Sequence, residues 1–171
     1  MTPESIRTLY AYNYWAYDQM WSCVNQLTNE QFTEDLGYSS GSIRNQLVHV
    51  ISATPRWLAR IKGAPVPAQP VYEEYTSPAI TRKKWDEVKA ETLAYIYALD
   101  QTQLDRVVHW EIPTRKMSED NRQWELLLHL VNHGADHRVQ ILATLELHYK
   151  IKTFEQDLLF YLLEVAHKQK R

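Results

Sequence analysis

Through most of this chain apolar residues recur at helical rather than strand spacing. Leu9, Tyr12, Trp15, Ala16 and Met20 follow the period of an amphipathic helix. Its start is Thr2-Pro3-Glu4. That is a capping hydroxyl, a proline at the first helical position and an acid near the positive end of the helix dipole. This first helix is expected to run to about Leu27. Thr28 with Gln31 forms a capping-box pattern for one short extra turn, after which Gly37 and the run SSGS break the chain. Ile43, Leu47, Val50, Ile51, Leu58 and Ile61 form the apolar stripe of a second helix, from about Ser42 to Lys62. Pro55 stands inside it as a candidate kink, and Gly63 stops it.

The segment GAPVPAQPVYEEYTSP that follows is too long and too rich in proline for a tight turn. It reads as an extended crossover. A third helix fits Pro78 to about Leu99. The stretch DRVVHWEIPTRKMSEDN, with β-branched and aromatic residues before Pro113-Thr114, reads as a small β-hairpin or an irregular excursion. A fourth helix is expected from about Asn121 to Tyr149. Thr153 with Gln156 gives a second capping box, opening a short fifth helix over FEQDLLFYLLEVAHK. Together these elements predict an all-α fold over residues 1–171 as a single domain. The expected architecture is a four-helix bundle with a long crossover between helices 2 and 3, a short fifth helix and a small β-hairpin before helix 4. Phe154, Leu158 and Tyr161 on the fifth helix suit either pairing of two copies as a homodimer or packing back on the bundle.

Composition narrows the class. The chain has 171 residues, 44% hydrophobic and 23% charged, ordinary for a globular domain with a sizeable core. Four glycines argue against a turn-rich all-β protein. A formal net charge of −2 and the lack of a basic stripe give no reason to expect nucleic-acid binding. No stretch approaches the roughly 20 apolar residues that span a bilayer, so no membrane partner is expected. MTPESIRTLYAYNYW lacks a basic region followed by an apolar run, and Cys23 is the only cysteine. These point to a cytoplasmic protein without internal disulfides.

The candidate chemistry lies in LLHLVNHGADHRVQIL. His129, His133 and His137 are spaced at four residues and share one stripe of the fourth helix, continued by Gln140 and Thr144. The apolar face lies elsewhere, at Leu127, Leu128, Val131, Ala135, Leu142 and Leu145. The stripe is polar, yet it carries none of the Lys and Glu of a solvated face, which suggests a polar cleft. Neutral imidazole is the commonest transition-metal ligand, and two histidines four apart can aim at one ion. No HExxH motif occurs, and the only Glu-x-x-His spacing, Glu164 to His167, sits near the chain end. All three histidines are unsuited to one ion, because their ends rise about 12 Å along the axis. A further ligand must come from another element. His49 on the second helix is the candidate, but it projects about 200° from Leu47. That direction fits the lip of a cleft and plain solvent exposure equally. Near the site, Asp136 is a candidate to orient a ligand's free N–H, or a surface ion-pair partner, and Gln140 a candidate to hold a water. Tyr12, Tyr14 and Trp15 are either cleft walls or core. Arg56 and Arg60 could attract an anionic thiol or stand free in solvent. Cys23 reads as a small buried hydrophobe.

Three segments together resemble the DinB family, the DinB/YfiT-like metalloenzymes. They are LYAYNYWAYDQMW, SIRNQLVHVISATPRWLARI and WELLLHLVNHGADHRVQI, in that order. The resemblance covers nearly the whole chain. It implies a four-helix bundle that binds a divalent metal through one histidine of the second helix and two of the fourth, here His49, His133 and His137. It assigns His129 a neighbouring role. One departure is Val139, where the family often has glycine. Three histidine ligands leave coordination positions for water or substrate, as at catalytic zinc. The resemblance implies a thiol-dependent transferase, using a low-molecular-weight thiol, or a hydrolase, in a DNA-damage-inducible family. Zinc and nickel both suit imidazole. The competing reading is a non-catalytic, stress-induced dimeric helical bundle with an incidental metal site.

Overall fold

The computed structural model describes residues 1–168. Among these residues the chain forms seven helices and one two-stranded sheet. In chain order the helices are α1 (Pro3–Val24), α2 (Asn29–Thr33), α3 (Ile43–Lys62), α4 (Pro78–Ala98), α5 (Gln101–Asp105), α6 (Gln123–Leu147) and α7 (Leu158–Lys168). Strands β1 (Val107–Ile112) and β2 (Met117–Arg122) lie between α5 and α6. No described helix is long and apolar enough to cross a membrane.

The starts of the helices follow from local chemistry. Thr2 Oγ1 accepts from Ser5 N, Ser42 Oγ from Asn45 N and Ser77 Oγ from Ile80 N. Each satisfies one of the amides that a helix leaves without an internal partner, stabilising it by about 1 kcal/mol. Thr28 and Gln31 close the expected capping box on α2. Gly63 ends α3 at φ +66, in the left-handed region. The helix continues through Pro55, which leaves the Ile51 carbonyl without its usual donor. Residues 63–77 then form the crossover, irregular except for one 3₁₀ turn at Tyr72–Glu74.

Helix α1 packs against α4 and α6, and α3 packs against the same two. Aromatic residues fill the middle: Tyr17 stands 4.3 Å from Trp85 between ring centroids, with Tyr14 and Trp21 on the same indole. Leu9, Tyr12 and Trp15, placed by periodicity on the inner stripe of α1, are only half-buried. The inner stripe is Tyr10, Tyr14, Tyr17 and Trp21. Helix α7 covers the other side, where Tyr161 meets Tyr12 and Trp15, and Trp15 Nε1 donates to Glu164. Phe154 and Tyr161 thus pack back on α1 and the core, whereas Leu159, Leu162 and Leu163 remain exposed. Val139 is also exposed, so the side chain that replaces glycine there points to solvent.

Several boundaries differ from those expected. The helix expected from Phe154 is α7 and begins at Leu158. Thr153 and Gln156 cap nothing: Thr153 donates to the Glu146 carboxylate, and Gln156 Oε1 accepts from Arg138 Nε at 2.6 Å. A buried guanidinium outcompetes a solvent-exposed helix end for that amide oxygen. Helix α1 stops at Val24, and α6 starts at Gln123, because Asn121 and Arg122 belong to β2. Helix α5 was not expected, although Asp100 with Gln103 forms its capping box. The hairpin is regular and antiparallel, from Val107 opposite Arg122 to Ile112 opposite Met117. Val108 and Trp110 are buried, and β1 lies against α3.

Candidate metal centre

His49 sits on the sector of α3 that faces α6. The histidine stripe of α6 meets it there. His49 and His133 are half-buried and His137 is buried. One ring nitrogen from each lies within 4.8 Å of the other two. His49 Nε2 and His133 Nε2 are 3.1 Å apart. The structure therefore brings together His49, His133 and His137. His129 stands one turn away, with its ring edge-on to Trp57 at 5.2 Å.

Burial keeps these rings unprotonated. It lowers the pKa of His133 to about 4, helped by the charges His137, His49 and His129 would carry. Burial likewise lowers His49, assisted by His137 and Arg115. For His137 the downward push of burial is opposed by Asp136. At neutral pH the lone pairs that a metal needs are available. The unfolded chain protonates these rings near the ordinary value of 6.5. It therefore takes up protons that the folded metal-free protein refuses. Stability is full above about pH 6.5 and falls as pH drops towards about 4. The urea midpoint of metal-free protein should decline over that window, and more steeply than in His133→Asn. Parallel declines in the two proteins would contradict this.

Gln46 was missed by sequence reasoning. It is 2% exposed, and its Oε1 lies 3.4 Å from His137 Nδ1. Its place one turn before His49 is visible in the sequence, but its burial against α6 is not. Asp136 is exposed and hydrogen-bonds none of the three rings among the described residues, acting on His133 and His137 only through its charge. One position before His137, it is turned about 100° around the helix towards solvent. Gln140 accepts from Ser39 Oγ. Tyr12, Tyr14 and Trp15 are not the walls of the site: two face α7 and one lies against Trp85. The walls are Trp57 and Trp110, in edge contact at 5.2 Å. Cys23 is buried, which raises its pKa and keeps it a thiol.

His49 and His133, with His129, line a cleft of about 520 Å³ between α3, α6 and the hairpin. Such a volume suits a small molecule. Close approach of α1 positions α6 behind it: a Cβ on Gly134 would stand 3.2 Å from the Tyr17 hydroxyl, which donates to the Gly134 carbonyl at 2.7 Å.

The donor set fits a divalent transition metal. Two nitrogens bound to a tetrahedral ion at about 2.0–2.1 Å lie about 3.3–3.4 Å apart. The His49–His133 pair is already near that spacing at 3.1 Å.

A family model described as the DinB family matches residues 1–148. Among curated proteins, the chain is similar to Protein DinB of Bacillus subtilis (strain 168). The two are 28% identical over 142 residues, covering 80% of this chain and 82% of that protein.

Proposed function

The chain belongs to the DinB family, and on that premise we propose that it is a divalent-metal-dependent enzyme whose ligands are His49, His133 and His137. The supporting observation is the meeting of three neutral imidazole nitrogens from two helices, with His49 and His133 lining an open cleft and His137 buried behind them. Three protein ligands leave a position for a small molecule. A divalent ion held by His49, His133 and His137 would lower the pKa of a water or thiol and would polarise a carbonyl. Zinc and nickel both suit this donor set.

The chain's own residues supply the rest. Gln46 engages His137 Nδ1 and leaves Nε2 to serve as a ligand. Trp57, Trp110 and Leu126 give the cleft apolar surface that displaces water from a bound molecule. Ser52 Oγ, hydrogen-bonded to Gln69 at 3.3 Å, places a hydroxyl on the same wall. We assign the chemistry to the thiol-dependent transferase or hydrolase type. We read the four long helices as a four-helix bundle within one domain, on the contacts of α1 and α3 with both α4 and α6. The homodimer is part of the same proposal, with Leu159, Leu162 and Leu163 of α7 as its apolar face.

Metal-loaded protein, offered low-molecular-weight thiols with an electrophilic acceptor and separately activated esters, should consume one class above the uncatalysed rate. His49→Ala should not. Equal rates for the two proteins in both assays would leave a non-catalytic bundle in place of the enzyme.

A further inference from the structure

Beyond the histidines the cleft carries unbalanced positive charge. Arg56, Arg60 and Arg115 all line it, and none forms an ion pair among the described residues. The lining carboxylate is Glu125. Its Oε2 is already committed to Arg122 N at 2.8 Å and Asn121 Nδ2 at 3.2 Å, at the start of α6. Arg60 is half-buried, fixed by the carbonyls of Glu111 and Arg56, and lies 5.4 Å over the Trp57 ring. Arg56 and Arg115 make no hydrogen bond through their guanidinium groups among the described residues, so their donors are free. Three like charges around one half-closed space repel one another, and the lining carboxylate, Glu125, balances at most one of them.

The placement is directional. Arg56 follows His49 by seven residues and Arg60 by eleven. Both therefore fall within about 20° of His49 around α3, with Arg56 about 10 Å further along. Trp57 and Trp110 line the same space, the Trp57 ring meeting His129 at 5.2 Å and Arg60 at 5.4 Å. Arg115, on the hairpin turn, lines the same space.

We propose that this cleft binds an elongated small molecule ending in an oxyanion, a carboxylate or a phosphate. The oxyanion lies at Arg56, Arg60 and Arg115, the apolar middle lies against Trp57 and Trp110, and the other end lies at the imidazoles of His49 and His133. The last contact rests on the metal-site reading above; the oxyanion contact does not. Guanidinium groups are suited to this role because their planar donors match an oxyanion in pairs.

The probes are 4-(mercaptomethyl)benzoate, its phosphonate counterpart and its neutral methyl ester, titrated calorimetrically into metal-free and cobalt(II)-loaded protein. In the metal-free protein at least one anion should bind about tenfold or more tighter than the ester, and the tighter anion identifies the oxyanion. Arg56→Gln and Arg115→Gln should each weaken that anion about tenfold while leaving the ester within twofold, with Arg56→Lys retaining part of the preference. Equal binding of anions and ester, or an anion preference untouched by both Gln variants, overturns the proposal. Cobalt–thiolate absorption in the loaded protein reports the far end separately. If the wild type takes up no cobalt, the metal reading fails while the anion preference still decides this one.

Discussion

His133→Ala should lower zinc affinity by more than about a hundredfold. Substitutions of residues that merely orient a ligand already cost about 10–100-fold, and removing a ligand costs more. His133 is the central member: its Nε2 is 3.1 Å from that of His49, and its ring lies 4.7 Å from His137. No other described imidazole can take its place, because His129 is one turn away against Trp57. Competition with a chromophoric chelator, on protein purified without a nickel column, measures the change. His129→Ala should stay within a few-fold of wild type. Gln46→Ala should fall between the two, since it frees the His137 ring without removing it. If His133→Ala and wild type bind zinc alike while both remain helical by circular dichroism, the three nitrogens are not a metal site.

The second large effect concerns Arg138, next to His137 in sequence and 1% exposed. It has no carboxylate partner among the described residues. Its Nη1 donates to Asn13 Oδ1 at 2.8 Å and its Nε to Gln156 at 2.6 Å. The guanidinium lies 4.9 Å from the Tyr17 ring centroid and 5.7 Å from that of Tyr12. Neutral oxygens and aromatic faces disperse the charge. One side chain thus ties α6 to α1 and to the segment before α7. Arg138→Ala would leave two acceptors unpaired and open a cavity, at a combined cost of about 3–5 kcal/mol. The melting temperature should fall by about 10 °C, at about 2–4 °C per kcal/mol for a chain of this size. Arg138→Lys should recover little, because an ammonium cannot span both acceptors and lie flat between two rings. A loss below about 1 kcal/mol for Arg138→Ala would show that the network contributes little.

The position of Arg138 explains the clearest misreading of the sequence. Thr153 and Gln156 have the spacing of a capping box, as do Thr28 and Gln31, which form one. The difference is a competitor. Gln31 Oε1 accepts from Thr28 N at 2.9 Å, whereas Gln156 Oε1 lies opposite a guanidinium cut off from water. Local spacing cannot register a donor that arrives from 18 residues away. Tyr12 and Trp15 show the same limit, since periodicity placed them inside and α7 gives them a second, separate partner.

What the chain determined unaided was whatever depends on neighbours a few residues apart. That includes the caps at Thr2, Thr28 and Ser42, the stop at Gly63, the long helices and the hairpin, and the common direction of His129, His133 and His137 on one helix. Hydrogen bonding within a turn and the 3.6-residue period decide these. His49 was different: its projection around α3 was compatible with water or with a cleft until α6 was seen to occupy that side. The same holds for Gln46 and for Trp57, Trp110 and Arg115, which three separate segments bring to one space. A helix's own periodicity says which residues share a face; which neighbour covers that face is settled only when the whole chain has packed.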